Sequence, residues 1–452
     1  MIENLKKVKR LSNKRNKHTF YLSTFGLVLF TIYISTQSLI FDSILKTNVL
    51  QMGVVFIVLL VLALRARSNN DFSLSFTNFD FIWLISIVFI MLSILYNYTI
   101  ERNNEIFVYV TGFLFLVISK LEIERYIPAF KILKFFSVVY AMATIFHYIF
   151  TDFYHSFIFP FISSTAQQRM VELTNIDYYP GLGIAQPSMA AAPMIIGIGV
   201  IIAGFTKEEK PIKKIDYIYL ILLFCGLNLT GKRSVLLWGI IASFLLYYFS
   251  REHNKKLNRS IKIILLSFIS IFILIITMNY FKEAPFFSRI ISTIEGLISG
   301  DDITSGRILL YSRAWELFLE YPVFGIGWGQ FINITSGQLL SRDLSVHNVY
   351  LQLLAEVGLV GFTLIVTSLV YTYYKTFRYL KIVYNTSYFG ENWRIGISFS
   401  FYYQSFFLLY CLSENPFYNI KYMFIYFFCI SITSSFLIKK IKLLGDGEFA
   451  RG

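Results

Sequence analysis

The sequence predicts an all-α polytopic membrane protein with about twelve transmembrane helices and a long, partly helical outer loop between the ninth and tenth. Three observations carry that prediction. Of the 452 residues 56% are hydrophobic and only 15% charged, where soluble domains average about 25% charged. The 47 Phe and 31 Tyr exclude a solvated coil, because a disordered chain is poor in apolar rings. Finally, the apolar residues gather into stretches near the ~20 residues that a spanning helix needs.

In order, the stretches fall near 20–40, 48–64, 79–99, 105–119, 133–151, 185–205, 215–230, 235–250, 261–281, 348–374, 394–413 and 417–438. The first follows a polar basic run with Lys6, Lys7, Lys9, Arg10, Lys14, Arg15 and Lys17, and no small-residue cleavage site is evident, so no removable signal is expected. The resulting organisation is membrane helices over 1–281 with a moderate outer loop at 152–184, a large extracytoplasmic loop over 282–346, further membrane helices over 347–438, and an inner tail at 439–452. A long ordered loop in a bilayer protein is where function is expected.

The net charge of +14 has two explanations, nucleic acid or orientation. With the basic start inside and the helices alternating, the inner segments hold 30 of the 41 Lys and Arg and the outer loops 11. That asymmetry is the positive-inside pattern with both termini inside, so nucleic acid is not needed to explain the charge. Inside there are 20 Lys and 10 Arg, outside 4 Lys and 7 Arg. Orientation does not distinguish the two types. A planar guanidinium fork, unlike an ammonium, meets phosphate or carboxylate bidentately. The outer arginines are Arg102, Arg169, Arg233, Arg289, Arg307, Arg313 and Arg342.

Several apparent motifs fail. GLNLTGKR, ending in Gly231-Lys232-Arg233, is near a phosphate-binding loop, but Arg233 stands where Ser or Thr must bind magnesium and no strand precedes it. Gly325-Ile326-Gly327-Trp328-Gly329 shares only its glycines with a dinucleotide fingerprint and reads as a turn. Cys225, Cys411 and Cys429 all fall in spans and form no CxxC site. Asp301-Asp302 lacks a spaced third ligand, and the pairs Glu122/Glu124 and Asp446/Glu448 fall inside, so no metal site is expected on the outer face.

Two elements survive. Over Arg307 to Glu320, RILLYSRAWELFLE, a helical period places Ser312, Arg313, Glu316 and Glu320 on one polar arc. Arg307 projects instead with Tyr311, Ala314 and Phe318, where a charge needs an anionic partner or must snorkel to water. This describes an interfacial helix. His347 stands at the outer mouth of the tenth span, and Asn348, Gln352 and Glu356 follow at steps of four, with Glu356 ~13 Å along the helix from His347. Such a stripe faces a cavity or a partner helix rather than lipid. Imidazole suits a general base near neutral pH. His147 and His155 are weaker candidates, His18 and His253 fall inside, and Glu414 beside Asn415-Pro416 is an auxiliary acid at another outer helix end.

Together GRILLYSRAWELFLEYPVFGIGWGQF and HNVYLQLLAEVGLVGF resemble the O-antigen ligase and polymerase family over about residues 306–362. The likeness lies in the Gly-Arg start, the aromatic-and-Ala helix, the Pro-hydrophobic-Gly-hydrophobic-Gly turn and His-Asn-x-x-Leu before an Ala-Glu-x-Gly-Leu helix. Tyr311 stands where the family often has Trp. The resemblance implies a GT-C-like membrane glycosyltransferase of O-antigen or capsule biosynthesis, free of cofactor and metal, with a polyprenyl-diphosphate-linked (undecaprenyl-type) glycan as donor. By the same match Arg233, Arg307 and His347 are the catalytic residues. The polymerase branch's Arg-x10-Gly pattern fits Arg289 to Gly300, whereas Arg169 to Gly181 is one residue too long. Arg289, Arg169, Asn348, Gln352, Glu356 and Glu414 complete the expected set as substrate-binding residues. The leading expectation is a polymerase acting at the outer face of the cytoplasmic membrane, beside membrane lipids, a chain-length regulator and a flippase. A ligase with a lipid-core acceptor is its close rival. A transporter or flippase is more distant, because internal repeats and helices broken near mid-membrane are not plain in the chain.

Overall fold

A computed structural model describes residues 76–96, 103–120, 123–184, 186–205, 213–250, 307–335, 345–386 and 388–445, with short pieces at 27–29, 31–32 and 35–36. All regular structure among these residues is helical. The principal helices are α1 (Asn78–Tyr96), α2 (Asn103–Ile118), α3 (Ile127–Ile149), α4 (Thr151–Ile158), α5 (Ser164–Asn175), α6 (Pro187–Gly204), α7 (Lys214–Leu229), α8 (Arg233–Phe249), α9 (Arg307–Glu320), α10 (Gln330–Thr335), α11 (Val349–Asn385), α12 (Glu391–Tyr410) and α13 (Ile420–Gly445).

Helices α1, α2, α3, α6, α7, α8, α11, α12 and α13 lie where spans are expected. Among the described residues five segments are long and apolar enough to cross a membrane: Asn78–Leu95, Ile123–Ile149, Pro187–Gly204, Val349–Asn385 and Lys421–Ile441. The expected stretches at 48–64 and 261–281 lie outside the described residues, and that at 20–40 is described only in pieces. The described residues are therefore those of a helical membrane protein, and the count of twelve remains an expectation. One boundary differs clearly. The apolar run ends near 374, but α11 continues to Asn385. Lys375 and Lys381 there lie over the rings of Tyr371 and Phe377, at 5.4 and 4.2 Å, so long cationic side chains extend the helix past its apolar part.

Helices α12 and α13 form the centre, flanked by α2, α6, α8 and α11. Their Tyr402, Tyr403, Phe406, Phe407, Tyr426 and Phe427 are fully buried. Hydroxyl pairs tie the bundle across its depth: Ser86 to Ser368 at 2.7 Å, Thr372 to Tyr426 at 3.1 Å and Thr376 to Thr433 at 3.0 Å. In a bilayer such pairs satisfy groups that lipid cannot, each contributing about 0.6 kcal/mol.

The expected moderate outer loop is itself largely helical, in α4 and α5. Ser163 caps α5 by accepting from the Ala166 amide at 3.3 Å. Phe150, Phe153, Phe157 and Phe161 share one face of α4 and its flanks, each more than half exposed.

The large loop enters the bundle. α9 buries Leu310, Ala314 and Leu317 and packs on α11, and the chain then turns through Tyr321–Gly329. Helix α11 is broken at Gly358 (φ 60°, ψ −168°), which interrupts its own hydrogen bonds. The turn replaces them: the amides of Ile326 and Gly327 donate to the carbonyls of Ala355 and Glu356 at 3.0 and 2.8 Å, and those of Leu359 and Val360 donate to Pro322 and Val323 at 2.8 and 3.2 Å. The two strands of backbone touch so closely that a Cβ on Gly358 would lie 2.4 Å from the Val323 carbonyl carbon, and one on Gly325 (φ 71°) would lie 2.4 Å from that of Glu356. Both glycines are required by conformation and by space. A broken helix, not expected from the sequence, is thus present, and its exposed backbone is satisfied by protein.

Candidate active site

The site forms where the short loop 411–419, between α12 and α13, meets the N-terminus of α11. Asn348 opens α11 as its N-cap, its Oδ1 accepting from the Leu351 amide at 3.1 Å while its Nδ2 donates to the Leu412 carbonyl at 3.2 Å. The Val349 amide donates to the Cys411 carbonyl at 2.9 Å, and Trp238 of α8 donates from Nε1 to Ser413 Oγ at 2.8 Å. These bonds hold Glu414 beneath His347. The backbone of His347 has φ +56°, a left-handed conformation that costs a residue with a Cβ about 1–3 kcal/mol and recurs at functional sites.

Glu414 is the hub. Its Oε2 lies 2.8 Å from His347 Nδ1, and its Oε1 meets Arg307 NH2 at 3.3 Å and Lys232 Nζ at 3.4 Å. Arg307 also donates through NH1 to the Ser413 carbonyl at 2.9 Å. Burial alone would push the Glu414 carboxyl up. The hydrogen bond to His347 and the charges of Lys232, His347 and Arg307 overcome it and hold the carboxyl at about 2. An ionised Glu414 only accepts hydrogen bonds, so His347 donates to it through Nδ1 and leaves Nε2 turned away from the carboxylate.

The remaining polar stripe of α11 binds the protein itself. Gln352 Oε1 accepts from the Val346 amide at 3.3 Å and from Asn415 Nδ2 at 2.6 Å. Glu356 is fully buried and accepts from the Gly329 amide at 2.7 Å, the Phe331 amide at 3.3 Å, Gln352 Nε2 at 3.0 Å and Tyr418 OH at 2.7 Å. Asn348, Gln352 and Glu356, expected at the substrate, also brace the protein: their polar atoms bond the turn, the cap and the 411–419 loop. The Gly325–Gly329 segment is a turn, as expected. Its Trp328 is buried, stacked on Tyr418 at 4.7 Å between ring centroids.

Arg307 thus meets an anion, Glu414, as its place on the buried side of α9 requires. Arg233 is exposed at the first residue of α8, next to Lys232. Arg313 pairs with Glu316 at 3.1 Å on the outer face of α9. Arg169 stands exposed on α5, paired with Glu172 at 3.0 Å, and no contact among the described residues joins it to the hub. Arg289 lies outside the described residues. His147 Nε2 and His155 Nε2 lie 3.1 Å apart, and the Gly181 amide donates to His147 Nδ1 at 3.3 Å. The imidazole of His147 is therefore occupied on both nitrogens, and this pair stands apart from the hub. Lys232 is the participant that sequence reasoning missed. Its signal was the pair of adjacent cations in a tight turn between two apolar helices.

Fold and site together define a polytopic membrane protein with a cationic, histidine-bearing site at one end of its bundle. Residues 218–366, about a third of the chain, match the family model described as O-antigen ligase, so that segment is similar to the O-antigen ligase/polymerase family. The match contains Lys232, Arg233, Arg307 and His347, and Glu414 lies beyond it. No curated protein matches the chain.

Proposed function

We propose that the chain is a polymerase of a surface polysaccharide, transferring a polyprenyl-diphosphate-linked glycan to a sugar hydroxyl at the outer face of the cell membrane. The observation that carries this reading is the His347–Glu414 pair set against Arg307. A diphosphate-linked sugar already has a good leaving group, so the enzyme must neutralise that group and deprotonate the acceptor. Arg307 and Arg233, with Arg289 from the large loop, serve the diphosphate. Each charge-assisted hydrogen bond contributes roughly 1.5–3 kcal/mol, so this route needs no metal or cofactor. His347 Nε2 takes the acceptor hydroxyl proton, and Glu414 steadies the resulting imidazolium, the division of labour of a His–carboxylate pair. The acceptor oxygen forms the new bond to the anomeric carbon as the bond to diphosphate breaks on the opposite face, inverting that centre.

The family description favours a second reading, ligation of the glycan to a lipid core, with the same chemistry at the reacting atoms. Surface glycan from a strain lacking the protein decides between them. Single repeat units on the lipid carrier mark a lost polymerase, and long carrier-linked chains that never reach a core mark a lost ligase. Ordinary chains on the surface would overturn both. In either case a chain-length regulator and a flippase are the expected neighbours.

A further inference from the structure

The hub contains an asymmetry that catalysis by His347 alone does not require. His347 meets Glu414 at 2.8 Å, a normal length for a charge-assisted bond, whereas Arg307 and Lys232 meet the same carboxylate at 3.3 and 3.4 Å, beyond the 2.7–2.9 Å of strong pairs. The exposure is graded too. The side chains of Arg307 and Lys232 are 32% and 25% accessible, and that of Glu414 only 11%. An anion arriving from outside therefore reaches the two cations before it reaches the carboxylate. Two cations and one carboxylate leave a surplus positive charge, and Arg233 adds to it next door. The groups that face Glu414 are Lys232 from the α7–α8 turn, Arg307 from α9, His347 ahead of α11, Tyr410 of α12 and Tyr422 of α13.

We propose that Glu414 is a resident anion standing in for the donor's diphosphate, and that Lys232 and Arg307 pass from Glu414 to the diphosphate when the donor binds. The inference rests on the reading of this site as one for a diphosphate-linked donor. Once the cations have left, the charge of Glu414 acts on His347 Nδ1–H alone, so Nε2 becomes the stronger base when, and only when, a donor is in place. Lys232 is then a diphosphate ligand, and Glu414 a positioning residue with two successive partners. Such an exchange disfavours deprotonation of an acceptor that has no donor to react with.

The test uses the full chain in nanodiscs of neutral phosphatidylcholine, with glycan-free polyprenyl diphosphate as the probe and calorimetric titration as the readout. Glu414→Gln keeps an acceptor for His347 and removes the competing charge. It is expected to bind the probe about fivefold more tightly than the wild type, the equivalent of one weak ion pair released, while its turnover falls. Lys232→Met, which leaves Glu414 intact, is expected to bind about fivefold more weakly, with Lys232→Arg restoring affinity. A residue that merely holds the fold would weaken binding and turnover together. Unchanged or weaker binding by a Glu414→Gln protein that still melts cooperatively overturns the exchange, as does unaltered binding by Lys232→Met. No binding by the wild type overturns the donor-site reading itself. Equal capture of phosphatidylglycerol, with the same gain in Glu414→Gln, assigns the site to a lipid headgroup and overturns the proposal.

Discussion

His347 Nδ1 and Glu414 Oε2 lie 2.8 Å apart across 67 residues of chain, one ahead of α11 and the other between α12 and α13. The contact orients the imidazole and fixes which nitrogen faces outward. Replacing His347 with Ala or Gln is expected to lower glycan transfer by about 10²–10⁴, the usual worth of a general base, with little change in probe affinity. Transfer at the wild-type rate, read from chain lengths on gels, would remove His347 from the chemistry.

The charge of Glu414 makes stability depend on pH. Its folded value of about 2 lies below the ordinary 4.5, so the unfolded chain binds more protons between these values and stability there rises with pH. The contribution is complete above about pH 4.5 and is lost as pH falls through 2. At neutral pH it is on the order of 3 kcal/mol, of which about 2 disappears by pH 3. The melting temperature of the wild type should exceed that of Glu414→Gln at pH 6 and approach it at pH 3. A gap that stays constant over this range would contradict the assignment.

Glu356 predicts a different failure. Its carboxylate accepts four hydrogen bonds, two of them from backbone amides at the start of α10. Glu356→Gln turns one acceptor into a donor facing donors and leaves buried groups unpaired, at about 1–3 kcal/mol each. The expected result is a lower melting temperature together with lower transfer. Tyr418→Phe removes a single donor and should cost less. Full stability in Glu356→Gln would mean that the carboxylate does not clamp the turn.

The phenylalanine face of α4 continues from the exposed Phe146 and Ile149 at the end of α3. An apolar face next to a spanning helix belongs in the interface between chains and headgroups. A Phe157→Trp variant should gain fluorescence that lipids brominated near the headgroup end quench more strongly than lipids brominated near the chain end. Quenching by an aqueous agent alone would place α4 away from the bilayer.

Legibility of the sequence varied with the range of the interaction. Apolar runs located nine helices, all but the end of α11 to within about two turns, because hydrophobic length is a local property. The half-buried place of Arg307 was also legible, since the period of α9 puts it beside Tyr311 and Ala314. The partner of Arg307 was not, because Glu414 is more than a hundred residues away and only the packed bundle brings the two together. Lys232 was hidden by its resemblance to a failed phosphate loop. The stripe of Gln352 and Glu356 was correctly placed on an inward face, yet that face meets the turn at 325–329 rather than open space. The break at Gly358 was invisible, since a lone glycine in an apolar helix is common and only the arriving turn makes it an interruption.

That break bears on how the protein is assembled. Until residues 322–327 dock, α11 has no partner for the amides and carbonyls around Gly358, and hydrocarbon offers none. The break in the helix and the docking of the turn are therefore completed together. Assembly acquires an order: the segment before α11 must reach the bundle before the backbone around Gly358 is satisfied, and a chain halted earlier would lack the bonds that hold the two together.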